Sequence, residues 1–90
     1  MTPKIIIYGR AEGCQGCTDV KSLMSEYDLP YDFRDIGSGD VARRVQYKKE
    51  LMANRVDKIP YIIIDGKDEI VKFIGFDENK LREAIDKAIK

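Results

Sequence analysis

Histidine is absent from these 90 residues, and cysteine occurs only twice. A closed zinc site takes four ligands, usually cysteine or histidine, so one chain alone is short of ligands for it. Net charge is absent as well, with 16 basic residues against 16 acidic ones. That balance supplies no electrostatic reason to expect a nucleic-acid or anionic-membrane partner. No apolar run approaches the roughly 18 residues that cross a bilayer. The opening "MTPKIIIYGR" holds an apolar run too short for a signal-peptide core, and no small-residue cleavage site follows it. These absences predict a cytoplasmic, reducing location, where a permanent structural disulfide is not expected. Internal repeats, linkers and low-complexity stretches are also missing. A chain of 90 residues has room for one core, so residues 1–90 are read as a single domain.

What is present divides into alternating patterns. "KIIIYG", residues 4–9, is a β-branched run without alternation, the mark of a strand covered on both faces. Val20, Leu23, Met24 and Tyr27 follow at helical spacing, and Asp28-Leu29-Pro30 ends that helix. "YDFRDI", residues 31–36, reads as a second strand. After a "GSGD" loop, Asp40 is a candidate N-cap. Val41, Val45 and Met52, with Ala42, Tyr47 and Leu51, suggest the inward stripe of a second helix. "KIPYIIIDGKDEIVKFIG" carries two strands around Asp65-Gly66, a hairpin signal. Asp77 caps a last helix whose stripe is Leu81, Ala84, Ile85, Ala88 and Ile89. The order β-α-β-α-β-β-α predicts an α/β fold: a mixed four-stranded sheet flanked by three helices.

Both cysteines fall in "GRAEGCQGCTDV", where the first strand gives way to the first helix. Three uses can be weighed for Cys14 and Cys17. A metal site needs further ligands that nothing in the sequence marks. An inert pair of small hydrophobes fits ordinary buried cysteine, but not this position. At a helix start, free N–H groups and the helix dipole favour a thiolate, lowering its pKa from about 8.5 toward about 3.5–7.5. A redox pair uses what the position offers. Cys14 attacks a disulfide and forms a mixed disulfide; Cys17, one turn on, attacks Cys14 and releases the reduced product. A CxxC beside a βαβ pattern is a thioredoxin-like signal.

Four features in order now resemble a glutaredoxin, a compact member of the thioredoxin-like superfamily, over nearly the whole chain. The first strand leads into "CQGC", "KIP" occupies the place of the family's hydrophobic residue and cis-proline, "YIIIDGK" matches the third strand and hairpin, and "IGFDENKL" matches the segment opening the last helix. The resemblance implies a thiol–disulfide oxidoreductase with Cys14 as nucleophile and Cys17 as resolving cysteine. It implies a cis bond before Pro60 and strand-like hydrogen bonds from the Ile59 backbone to an extended substrate. It implies glutathione as reducing co-substrate, with no bound cofactor or metal. Arg10 is the candidate basic residue before the dithiol. Asp77 would meet the glutathione ammonium, and the helix start around Gly75, Phe76, Asp77 and Glu78 would meet its carboxylate. Tyr8 and Tyr61 are assigned to packing.

The sequence departs from the common family pattern at three places. Gln15 and Gly16 replace proline and tyrosine between the cysteines. Ile74 precedes Gly75 where the family has paired glycines. The Gly9–Gly13 loop is a residue longer than in common members. "IGF" also resembles the NrdH-type redoxins, which take electrons from thioredoxin reductase, and short phage-encoded glutaredoxins that feed ribonucleotide reductase are similar. The expectation is therefore a cytoplasmic, monomeric dithiol glutaredoxin reducing protein disulfides or glutathione mixed disulfides, ribonucleotide reductase among its candidate targets. The alternatives are an NrdH-type redoxin and, from another class, a carrier of an iron–sulfur cluster shared between two chains.

Overall fold

The computed structural model describes residues 2–89. Seven elements follow in order: β1 (Lys4–Gly9), α1 (Gln15–Glu26), β2 (Asp32–Asp35), α2 (Val41–Ala53), β3 (Tyr61–Asp65), β4 (Ile70–Ile74) and α3 (Glu78–Ala88). The strands form one sheet in the order β2-β1-β3-β4. β1 runs parallel to β2 and antiparallel to β3, and β3 is antiparallel to β4. The unbroken apolar run of β1 is explained by this order: it lies inside the sheet with helices over both faces, and side chains of alternate parity enter different cores.

On one face Ile5 and Ile7 of β1 join Ile62 and Ile64 of β3, Val20, Leu23 and Met24 of α1, and Leu81 and Ile85 of α3. Every one of these is nearly or fully buried. On the other face Tyr8 and Tyr61 stack with ring centroids 5.7 Å apart, and Leu51 of α2 and Val56 pack with them. Tyr8 and Tyr61 are thus core side chains, as their pattern predicts.

Helix starts follow the capping residues. Asp40 accepts the Arg43 N–H, and Asp77 accepts the Lys80 N–H, each at 3.2 Å. Two helices end on left-handed residues. α1 stops three residues short of Pro30, because Asp28 takes a left-handed conformation (φ 55°). The Asp28 and Leu29 N–H groups then turn back onto the carbonyls of Ser25 and Met24, a closed C-terminal turn that leaves proline nothing to terminate. Arg55 (φ 57°) closes α2 in the same way.

The α2 stripe is corrected in part. Val41, Val45 and Met52 are 58%, 43% and 75% exposed, and Ala42 is exposed as well; of the expected stripe only Tyr47 and Leu51 face the sheet. The hairpin signal holds, but its loop is longer than an Asp-Gly turn: Asp65 ends β3, and residues 66–69 connect, closed by Gly66 N–H to Glu69 carbonyl at 3.0 Å. β2 keeps only four residues of its expected six, and Ile89 lies beyond the end of α3, 42% exposed.

Candidate active site

The chain leaves β1 at Gly9, crosses an exposed loop and enters α1 with Cys14 as its N-cap. Cys14 has extended backbone angles, and its sulfur accepts the Cys17 N–H at 3.2 Å. A sulfur therefore fills the place usually held by a serine or aspartate oxygen. The Cys14 carbonyl accepts from Thr18 through both backbone N–H (3.2 Å) and Oγ1 (3.3 Å). The two sulfurs are bonded to each other, with Cα atoms 5.3 Å apart. Cys14 is half-buried, whereas Cys17 is 1% exposed. The outer sulfur meets solvent at a helix N-terminus; the inner one faces the sheet.

Gly9 makes room for that inner sulfur. A Cβ on Gly9 would stand 2.5 Å from Cys17 Sγ and 3.3 Å from Phe33 Cε1. Only a residue without a side chain lets α1 settle this low on β1. Gly16 makes room on the opposite flank, where a Cβ would meet Pro60 Cδ at 3.0 Å and Phe76 Cβ at 3.6 Å. The replacement of the family's aromatic by Gly16 thus falls where α1, Pro60 and Phe76 converge.

The Ile59–Pro60 peptide bond is cis. Pro60 is buried and Ile59 half-buried. The Pro60 carbonyl accepts the Gly75 N–H at 2.8 Å, and Gly75 has φ 87°, a conformation that suits glycine. Phe76 follows, half-buried, and then Asp77 and Glu78 at the exposed start of α3. Glu78 pairs with Arg82 at 3.1 Å, and Arg82 reaches Glu26 at the end of α1 at 2.8 Å. The Arg82 guanidinium is held charged more firmly than usual by its hydrogen bonds to Glu26 and Glu78. Ile74 lies opposite Tyr61 in the register and is 58% exposed.

The fold therefore brings Cys14, Cys17, Pro60, Gly75 and Phe76 to one end of the sheet, with Asp77 and Glu78 on the adjoining helix start. Arg10 is exposed, and its alkyl stem runs along Gly37, with Cγ and Cδ 3.7 and 3.9 Å from a Cβ built there. It borders the site from the β2 side. Sequence reasoning missed Gly9 as a site residue. Its signal was present: a glycine ending a buried strand marks close approach of another element.

A second cluster, on the α2 face, is electrostatic rather than chemical. The Tyr8 hydroxyl donates to Glu50 Oε1 at 2.6 Å, and Arg34 Nη1 donates to both. Burial, then the bond to Glu50, pushes the Tyr8 hydroxyl up to about 12. The Tyr8 and Gln46 hydrogen bonds, with Arg34, outweigh burial and hold the Glu50 carboxyl below its usual range.

Among solved structures, thioredoxin O2 of Arabidopsis thaliana in the oxidised state superposes with a TM-score of 0.69 at 17% identity, covering 99% of this chain and 76% of that one. A glutaredoxin of Archaeoglobus fulgidus superposes at 0.67 with 19% identity, covering 92% and 86%. Spinach chloroplast thioredoxin f follows at 0.65 with 20% identity, covering 99% and 78%. No curated protein matches significantly. Neighbours this distant establish the thioredoxin-like frame and do not choose among its branches. The choice comes from the glutaredoxin family model, which matches residues 5–69, from β1 through the dithiol and Pro60 to the hairpin loop. This chain belongs to the glutaredoxin family, and its Cys14–Cys17 pair is that of a thiol–disulfide oxidoreductase.

Proposed function

We propose that the protein is a glutathione-recycled reductant of protein disulfides and glutathione mixed disulfides. The observation that carries the division of labour is the contrast between a half-buried Cys14 at the helix N-terminus and a buried Cys17 one turn inside. The Cys14 thiolate attacks one sulfur of the target disulfide; a Cys14–target bond forms and the target's other sulfur leaves as thiolate, taking up a proton. Cys17 then attacks Cys14 Sγ, the intramolecular disulfide closes, and the second target thiol departs. Two glutathione molecules restore the dithiol and leave as oxidised glutathione.

Support for glutathione comes from the start of α3. It offers an exposed carboxylate, Asp77, and first-turn N–H groups directly after Phe76, the complement of an ammonium and a carboxylate on one ligand. A monomer working in the cytoplasm, with a reductive enzyme such as ribonucleotide reductase among its targets, fits this chemistry. The test offers oxidised protein to NADPH with glutathione and glutathione reductase, and separately to NADPH with thioredoxin reductase. Turnover is expected with the first system and raised KM in Asp77→Ala. Turnover with the second system alone replaces this reading with the NrdH-type one.

A further inference from the structure

The inner sulfur has a charge problem that the outer one lacks. To finish the exchange Cys17 must lose its proton, yet it is 1% exposed, and burial opposes the charged form. Its own N–H is already given to Cys14 Sγ. A Cβ built on Gly9 would meet both Cys17 Sγ, at 2.5 Å, and Phe33 Cε1, at 3.3 Å, so the inner sulfur and the Phe33 ring border one point at the end of β1. Over the face of that ring sits the ammonium of Lys21, 3.7 Å from the centroid. Lys21 is also one helical turn along from Cys17, and residues four apart on a helix have Cβ atoms about 5–6 Å apart. It is half-buried and makes no ion pair among the described residues. Its charge is held in place by an aromatic face and is not cancelled by a carboxylate.

The other ionisable groups near this point are committed elsewhere. Asp35 pairs with Gly9 in the register and shares a sheet face with Phe33, but its Oδ1 accepts the Gly37 N–H at 2.8 Å. Tyr8 lies on the opposite face, tied to Glu50 and Arg34. Asp19 accepts from Gln15 at 2.9 Å. Tyr61 packs in the α2-side cluster. Arg10 and Glu12 are exposed in the loop.

We propose that Lys21, positioned by Phe33, is the electrostatic partner of the Cys17 thiolate and sets the pH at which the resolving step runs. The inference rests on Cys17 being the resolving thiol and is independent of the electron donor. In the step itself the Cys17 proton goes to solvent, the Cys17–Cys14 bond forms, the Cys14–target bond breaks, and the target sulfur leaves as thiolate. Lys21 keeps its proton throughout; it lowers the energy of the buried anion.

The direct test titrates the thiolate of Cys17 by ultraviolet absorbance in a Cys14→Ser background, where no glutathione is needed. Lys21→Met is expected to raise the midpoint by about half to one pH unit, which is about three- to tenfold less thiolate below the midpoint. Lys21→Arg restores it, and Phe33→Leu gives a smaller rise in the same direction. In the intact dithiol, a symmetric aromatic disulfide releases one coloured thiol as Cys14 attacks and a second as Cys17 resolves. Lys21→Met should slow the second phase by the same factor at neutral pH and match wild type at alkaline pH. An unchanged midpoint, or a slowing equal at every pH, overturns the inference. Failure of glutathione to support turnover would leave the titration standing, so the two readings fail separately.

Discussion

The two faces of the sheet are built from different materials. The face toward α1 and α3 is a dry aliphatic core, with Ile5, Ile7, Val20, Met24, Ile62, Ile64, Leu81 and Ile85 at most 2% exposed. The face toward α2 carries two stacked tyrosines, one leucine and one valine, clamped by Arg34 and Glu50. The dithiol stands at the end of the first. That placement sets the buried sulfur at the edge of a close-packed aliphatic core, which admits little displacement. The α2 face covers the opposite side of the sheet. The difference teaches where rigidity is used: around Cys17 by volume, across α2 by hydrogen bonds.

Substitutions can break this comparison in order of size. Ile62→Ala opens a cavity in the aliphatic face and should destabilise the fold by about 2–5 kcal/mol, read from the denaturant midpoint. Gly9→Ala overpacks the same face, because its Cβ would stand 2.5 Å from Cys17 Sγ. We expect a loss of about 1–3 kcal/mol, together with resolution by Cys17 slowed by about tenfold or more as the inner sulfur is displaced. A stability loss with normal resolution kinetics would detach Gly9 from the site.

On the polar face, Glu50→Gln should cost about 1–2 kcal/mol at neutral pH, reduced from the value for a charged hydrogen bond because the group is partly exposed. The pH dependence follows from the shifts. The Glu50 carboxyl is held low, first by Tyr8, so its contribution is present above the unfolded glutamate value and is lost as pH falls through the lower folded one. Glu50→Gln should flatten that acid limb. The Tyr8 hydroxyl, pushed up to about 12, contributes fully below the unfolded value of about 10 and loses its contribution as pH rises through the folded one, so Tyr8→Phe should flatten the alkaline limb. The smallest effect belongs to Met52, 75% exposed: Met52→Gln should change stability by less than about 0.5 kcal/mol, whereas Leu51→Ala should lose several times more.

That last pair also shows what sets the phase of α2. Hydropathy places Val41, Val45 and Met52 inward together with Tyr47 and Leu51, but only the last two make the sheet side of this helix, with Glu50 reaching Tyr8 and Arg34. A polar clamp on the buried side makes a helix look misphased, because a charged residue scores as outward wherever its partner lies. β1, α1 and α3 were legible because aliphatic residues alone fill their inward positions. The dithiol and Pro60 were legible as motifs. The parts of the site that were not legible, Gly9 behind Cys17 and Phe33 beneath Lys21, are contacts between β1, β2 and α1. Neither leaves a local pattern stronger than a glycine at a strand end.

The bond from the Cys17 N–H to Cys14 Sγ makes one amide proton a recorder of the chemistry. A sulfur that is a disulfide, a thiolate or a mixed disulfide differs in its power to accept a hydrogen bond, the anion being the strongest. The solvent-exchange rate of the Cys17 amide should therefore follow the charge on its neighbour, slowest when Cys14 is a thiolate. Isotope exchange at a single backbone position would then read the state of the cycle without a dye or engineered label.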